Sequence, residues 1–338
     1  MWTYFKQFIA DLKESSARLC AIPGTPGRLV VVLDMILCGV LYFAFPKEYF
    51  DFRLDLVPFR ERKDYRTGHK GNIACRVLNA PSSRSILQNK YYLFCVLRDT
   101  FGRTCVQNLG LTPERFAAFT EGLDRFIFKP IDSYGGRGHR VYHLDGSRSL
   151  EEIYREIMDA PRGLLEPWIV QHEALNALYP NAVHVVRLHT IHDGSGKDIR
   201  IFGGTLAVAT AGEVTNTSLH NTLAVRIDEA TGELLTDALD YDNNLLTEHP
   251  VTHIPFRGYR LPDWDRVTEL VRRAAAAIPE LSYIGWDVAF TPDGPIIVEG
   301  NANPAIDAQC GSWEPRGHEE RSWAIIRPYV QKKRTAGR

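Results

Sequence analysis

Between Gly285 and Pro304 the chain reads GWDVAFTPDGPIIVEGNANP, which sets an Asp, a Glu and two Asn around one expected β-hairpin. A three-residue loop at Pro292-Asp293-Gly294, a type I turn closed by a left-handed glycine, makes Thr291 and Pro295 the flanking pair. Counted back in that register, Asp287 lies opposite Glu299, and Asn301 shares their face two residues further on. Facing carboxylates repel unless something positive lies between them, and an oxygen-only set of this kind suits a hard cation such as magnesium. The plain alternative is a solvated hairpin with a wet acidic face. The apolar run Ile296-Ile297-Val298 speaks for a buried strand instead. The reading is sensitive to register, because a two-residue loop or a bulge would turn Glu299 to the other face.

A second group of residues suits phosphate. Phe128 to Gly138 reads FKPIDSYGGRG: Lys129 ends an expected strand, and three glycines follow before the next. Backbone N–H groups in such a loop can approach phosphate oxygens closely. No Gly-Lys-Ser/Thr and no helix follow, so it is neither a Walker A loop nor a Rossmann turn. Further on, LLEPWIVQHE (Leu164–Glu173) ends a strand at Glu166, Pro167 and Trp168, where backbone groups could meet a purine base. Arg187, within the apolar strand VVRLHTI, needs an anionic partner because its charge cannot be lost. Arg200 is a rival for that role, and periodicity does not choose between them.

The elements that position these residues follow from pattern. Residues 1 to about 60 are helical and apolar, with Pro23, Gly24, Pro26 and Gly27 breaking the first helix from the second. Glu61 to Lys70 reads as a charged connector. Asn89 caps a helix with Lys90 in its first turn, and another runs over 111–125 from Thr112 as N-cap with Pro113 at its first position. Strands are expected at Arg125–Lys129, Arg140–Leu144, Leu164–Gln171, Val183–His192, Ile199–Ala209 and Leu223–Ile227, with helices at 149–159 and Trp264–Ile278 and a turn at Gly194-Ser195-Gly196. The fold class is α+β, divided into a helical region 1–70, a subdomain 71–165 carrying the glycine loop, a subdomain 166–330 and a basic tail 331–338.

The 338 residues carry 40 Lys+Arg against 41 Asp+Glu, a formal net charge of -1, so nothing global points to nucleic acid. Six scattered cysteines form no zinc or redox spacing, which fits a reducing, cytoplasmic setting. The start of the chain does not read as a secretory signal. Leu29 to Phe45 is a 17-residue apolar run with one charge, Asp34. That is at the lower limit for spanning a bilayer, and the run is expected to be a buried core helix. The stripe Trp2, Phe5, Ile9, Leu12, with Lys6, Lys13 and Arg18 nearby, allows a peripheral membrane contact as the alternative to a packed terminal helix.

Taken in order, a lysine helix, a lysine-plus-glycine loop, a hinge strand, an arginine strand and an Asp/Glu-x-Asn hairpin resemble the ATP-grasp superfamily. The likeness is to its sugar-transfer-associated branch, which is itself similar to the alpha-L-glutamate ligase-like proteins, and it covers roughly residues 30–325. The resemblance implies an ATP-grasp fold of two α+β subdomains gripping ATP, and roles residue by residue. Lys90 and Lys129 hold phosphates. Ser133, Gly135, Gly136 and Gly138 belong to the loop closing over the triphosphate. Glu166, Trp168 and Ile169 form the hinge at adenine, with His172 or Glu173 near the ribose. Arg187 meets the γ-phosphate, acting with Lys129 in catalysis, and Asp287, Glu299 and Asn301 hold magnesium, as two ions. Arg187, Asn216, His220 and Asn221 face the acceptor.

The implied activity is an ADP-forming carboxylate–amine ligation through an acylphosphate, on small-molecule carboxylate and amine substrates tied to sugar, polysaccharide or natural-product biosynthesis. A kinase on the same scaffold and a non-catalytic nucleotide-binding partner are the alternatives. Two departures concern the acceptor side. Leu206 stands where the branch often has an arginine, and Val214-Thr215-Asn216-Thr217 replaces its Asp-Asn pattern.

Overall fold

A computed structural model of the chain describes residues 2–98, 100–131, 138–210, 222–240, 244–304 and 321–336, with backbone alone for residues 2–5. Its first part is helical. Helices α1 (Trp2–Cys20) and α2 (Arg28–Tyr42) flank the Pro/Gly break, and α3 (Pro46–Asp51) follows a left-handed Phe43. Leu19, Met35, Cys38, Tyr49, Phe50 and Leu54 close a small core of their own. The expectation of a buried helix across Leu29–Phe45 is corrected here. Helix α2 buries only Val31, Met35 and Cys38, and Leu29, Val30, Leu33, Ile36, Leu37, Val40 and Leu41 are exposed. The reason is that α1, α3 and the 3-10 turn Phe59–Asp64 pack on one side of α2.

The charged connector is more deeply embedded than its composition suggests. Arg62, Arg66 and Lys70 are all buried. Arg62 donates to Asp34 at 2.7 Å and to the Val57 carbonyl at 2.9 Å, and Lys70 donates to the Lys63 and Tyr65 carbonyls at 2.7 and 2.9 Å. Arg66 donates to the Pro304 carbonyl at 2.8 Å, tying the connector to the end of the distant hairpin. Charges are kept inside a protein only with such partners, and burial still pushes the Lys70 ammonium down to about 8. Helices α4 (Gly68–Leu78), α5 (Arg84–Gln88) and α6 (Lys90–Val96) follow. The expected Asn89 cap is present: its side chain accepts from the Tyr91 and Tyr92 N–H groups at 3.0 and 3.2 Å.

Two sheets carry the rest. The smaller is antiparallel in the order β1-β4-β2-β3, from β1 (Val106–Gln107), β2 (Arg125–Pro130), β3 (Arg140–His143) and β4 (Gly163–Pro167). Helices α7 (Pro113–Thr120) and α8 (Leu150–Asp159) cover it through Phe116, Ile153 and Ile157 against Phe126, Phe128, Tyr142 and Leu165. Thr112 caps α7 as expected, but the helix ends at Thr120 rather than 125, and β4 stops at Pro167 rather than Gln171. Pro167 pairs with Phe126, next to the first residue of β2, so little partner strand remains beyond it.

After α9 (Glu173–Leu178), the larger sheet has seven strands in the order β11-β10-β5-β6-β7-β8-β9. They are β5 (Val185–Ile191), β6 (Arg200–Ala209), β7 (Thr222–Arg226), β8 (Ala238–Leu239), β9 (Leu245–Leu246), β10 (Tyr283–Thr291) and β11 (Gly294–Asn301). The two-residue strands β8 and β9 carry no alternation for a sequence reading to find. One face of the sheet places Val186, Leu188, Leu206, Val225, Trp286, Val288 and Ile297 in a core shared with α10 (Trp264–Ala276) and with Leu87, Leu93 and Leu97. At one end of the other face, Ile191, Phe202 and Tyr283 lie under α4 and α11 (Ser322–Ala336). The remainder of that second face holds the polar residues.

Candidate active site

The β10–β11 hairpin reaches the expected register by a different route. Its loop has two residues, with Thr291 opposite Gly294, and a bulge between Ile297 and Glu299 takes up Val298. A regular two-residue hairpin would have turned the Glu299 carboxylate into the apolar core beside Trp286. With Val298 set aside, Asp287 lies opposite Glu299 and Gly285 opposite Asn301. Gly294 holds φ +126°, a conformation that L side chains avoid, and the Arg266 guanidinium occupies the place of a Cβ there. Gly285 is needed for space, since a Cβ would collide with the Pro304 ring.

Asp287 also pairs in register with Arg187 on β5, so Arg187, Asp287 and Glu299 form one row across three strands. Arg187 grips both Asp287 oxygens, through Nε and through Nη2 at 3.0 Å. The cation between the facing acids that the sequence required is thus partly this guanidinium. Glu299 is less well served. Burial raises its carboxyl above the usual carboxylate range, Asp287 raises it further, and Lys90, Arg187 and Lys129 pull only partly the other way. The row continues to Thr205 on β6 and Arg226 on β7. Arg226 pairs with Glu229 at 2.8 Å, and the buried Thr205 Oγ1 has no hydrogen-bond partner among the described residues. Leu206 is fully buried on the opposite, apolar face. Arg200, itself exposed, pairs with Ile191 at the far end of β5, away from this row.

The smaller sheet contributes a buried charge cluster. Lys129 Nζ donates to Glu166 Oε2 at 2.6 Å, and Arg103 Nη1 lies 2.7 Å from the same oxygen. Residues 127 and 166 pair directly, so Lys129 and Glu166 share a face of the sheet. Burial by itself would raise the Glu166 carboxyl; Arg103, then Lys129, outweigh it and hold the group below the usual range. Arg103 also reaches the carbonyl of the bulged Val298 at 3.2 Å, which links the two sheets. Lys90, at the start of α6, acts electrostatically on both Glu166 and Glu299. His139 follows the glycine loop. Burial, then Lys129 and Lys90, push its imidazole down to about 4, and neither ring nitrogen is hydrogen-bonded among the described residues.

The remaining expected residues are placed as follows. The Glu166 carboxylate is committed to Lys129 and Arg103, so only its backbone remains for a base. The Arg125 guanidinium stacks 4.6 Å over the Trp168 ring, and Ile169 is half-buried. His172 caps α9 by accepting from the Ala174 N–H at 3.1 Å, and Glu173 is exposed in the first turn. Gly138 is exposed with φ +74°. Ser133, Gly135, Gly136, Asn216, His220 and Asn221 lie outside the described residues. A cavity of about 650 Å³ opens beside the hairpin, lined by Glu299, Asn301, Asn303, Asn72, Arg76 and Arg84 among others.

Arg103, Thr205, Arg226 and His139 were missed in the sequence. Only Arg226 carried a signal there, as a charge within the expected apolar strand Leu223–Ile227. The donor set fits a hard cation: Asp287, Glu299 and Asn301 put oxygen ligands on one face of the hairpin. The lysines around it suit a polyanion.

Residues 99–312 match the family described as sugar-transfer associated ATP-grasp. No curated protein matches the chain. Among solved structures, the chain is similar to the ATP-grasp ligase PsnB complexed with minimal precursor, at 17% identity over 83% of this chain and 73% of that one, with a TM-score of 0.44. It is similar to the ADP complex of purK, an N5-carboxyaminoimidazole ribonucleotide synthetase, at 13% over 73% of this chain and 52% of that one, TM-score 0.46. It is also similar to D-alanine–D-alanine ligase from Bacillus anthracis, at 13% over 77% and 72%, TM-score 0.43. The family match spans more than half of the sequence and coincides with both charge clusters, and so the chain belongs to the sugar-transfer associated ATP-grasp family.

Proposed function

We propose that the protein is an ADP-forming ligase that activates a small-molecule carboxylate with ATP and passes it to an amine. The observation that supports this most directly is the row Arg187–Asp287–Glu299, with Asn301 beside it and Lys90 and Lys129 acting on it. Asp287, Glu299 and Asn301 would hold magnesium, as two ions. The metal, when bound, supplies charge neutralisation at the β- and γ-phosphates. Lys90 and Lys129 bind phosphate oxygens, and the buried Glu166–Arg103 pair keeps the Lys129 ammonium in one place. Gly135, Gly136 and Gly138, with Ser133, cover the triphosphate. Backbone groups at Glu166, Trp168 and Ile169 orient the base, with His172 or Glu173 toward the ribose.

A carboxylate oxygen of the acceptor attacks the γ-phosphorus. The bond from that phosphorus to the bridging oxygen breaks, and ADP leaves with the electron pair. Arg187 and Lys129 stabilise the charge that develops on the transferred group. The amine then attacks the acyl carbon, phosphate departs, and the amine proton passes to solvent. Arg187, with Asn216, His220 and Asn221, faces the acceptor. The substrate's link to sugar, polysaccharide or natural-product biosynthesis rests on the family's description.

The test is magnesium-dependent ADP release across a panel of carboxylates and amines, for the wild type and Glu299→Gln. The substitution keeps shape and removes the charge, and a fall of about 100-fold or more is expected. Undiminished turnover would sink the metal assignment. ADP release without amine, leaving a stable phosphorylated product, would assign a kinase instead.

A further inference from the structure

Helix α2 carries a face that the ATP site does not use. Leu29, Leu33, Ile36 and Val40, with Val30 and Leu37 beside them, recur at helical spacing along one side. Leu29 is 73% exposed and Val40 is 69% exposed. The only acid in the helix, Asp34, is turned inward, where Arg62 and Tyr49 hydrogen-bond it. The outer stripe is therefore free of charge over its whole length, and soluble surfaces rarely carry an apolar patch of this extent without a partner. Among the described residues no helix is long and apolar enough to cross a membrane. The stripe can lie along a bilayer surface but cannot span one.

Both ends of the stripe are basic. At the start of α2, Arg28 is exposed and donates to Ser16 and to the Lys13 carbonyl, bringing the exposed Lys13 alongside. Toward the other end the Phe59 ring lies 5.2 Å from the Tyr42 ring, and the turn it opens carries the exposed Arg60 and Lys63 on either side of Glu61, whose carboxylate pairs with Arg321 at 3.1 Å. None of these four cations pairs with a carboxylate among the described residues. Two copies of α2 laid together in either direction would set basic ends against basic ends. An anionic lipid surface complements apolar centre and basic ends at once.

We propose that α2 seats the protein on an anionic membrane surface, with its apolar stripe at the headgroup–acyl boundary and Arg28, Arg60 and Lys63 among the headgroups. The inference is independent of the ligase reading. The experiment is flotation of the full chain with vesicles of phosphatidylcholine containing about one-third phosphatidylglycerol, and with phosphatidylcholine alone. The chain should float with the anionic vesicles, less so as salt is raised. Leu33→Glu/Val40→Glu should lower the bound fraction about tenfold, and Arg60→Glu/Lys63→Glu should weaken binding to the anionic vesicles selectively. Circular dichroism and ATP turnover should stay those of the wild type, since these side chains lie outside both the core and the site. A wild-type chain that stays in solution with anionic vesicles overturns the proposal, as does a Leu33→Glu/Val40→Glu variant that floats like the wild type. A concentration-dependent dimer that the same variant dissociates, without vesicle binding, would give the face to a second copy.

Discussion

Glu166 shows how a single side chain can be read correctly in place and incompletely in purpose. The sequence set it at the end of a hinge strand, and β4 does end beside it, but its carboxylate is buried between Lys129 and Arg103. Glu166→Gln should therefore destabilise the protein by about 3–5 kcal/mol at neutral pH, because two buried cations lose their anion; urea unfolding measures this. The sign of the pH dependence follows from the depressed carboxyl. Its stabilising charge is fully present above the ordinary carboxylate value of 4.5 and is lost as pH falls through the lower folded value, so the gap between wild type and variant should narrow below that point. Arg187 is the second case. Its two-point grip on Asp287 depends on the planar guanidinium, so Arg187→Lys should cut ATP turnover by about tenfold or more despite keeping the charge, as steady-state ADP release would record.

Among the elements, the β10–β11 hairpin decides whether the acids meet. The expected three-residue loop and the observed two-residue loop with a bulge both bring Asp287 opposite Glu299. Two deviations, each of which would have turned Glu299 to the wrong face, cancel. Deleting Val298 should leave a regular hairpin that keeps the pairing and retains magnesium-dependent nucleotide binding. Inserting one alanine after Val298 should drive Glu299 toward the apolar face and abolish that binding; calorimetric titration of both variants with nucleotide checks this. Gly285→Ala should cost about 1–3 kcal/mol in thermal or urea unfolding, because its Cβ would meet the Pro304 ring.

At the scale of the whole molecule, the helical first part is fastened to the large-sheet region by arginines. Arg66 reaches the Pro304 carbonyl, Arg321 reaches Tyr65 and Glu61, and Arg327 reaches Asp64. Within that part, Asp34 neutralises Arg62, whose side chain is 8% exposed. Asp34→Ala should strand the Arg62 charge and loosen α1–α3 by about 3–5 kcal/mol, seen as faster amide exchange there with nucleotide binding intact. The same region shows where a sequence reading fails. An apolar run with one acid reads as buried, yet burial depends on what packs against each side, and the other elements cover only one side of α2.

The sequence by itself determined what depends on neighbours in the chain. Helix starts at Thr112, Asn89 and Ser149 follow from side chains that cap nearby N–H groups. The main strands follow from short runs of apolar, β-branched and aromatic residues, and the chemical character of the site follows from the types and order of its lysines, arginine and acids. Tertiary structure decided what depends on distant neighbours. It placed Arg187 rather than Arg200 in the row with Asp287, gave Lys129 and Arg103 a shared anion in Glu166, added Thr205 and Arg226 to the row, and left α2 half-bare. Those outcomes are set by strand register and by packing between segments far apart in the chain, and no local pattern encodes either.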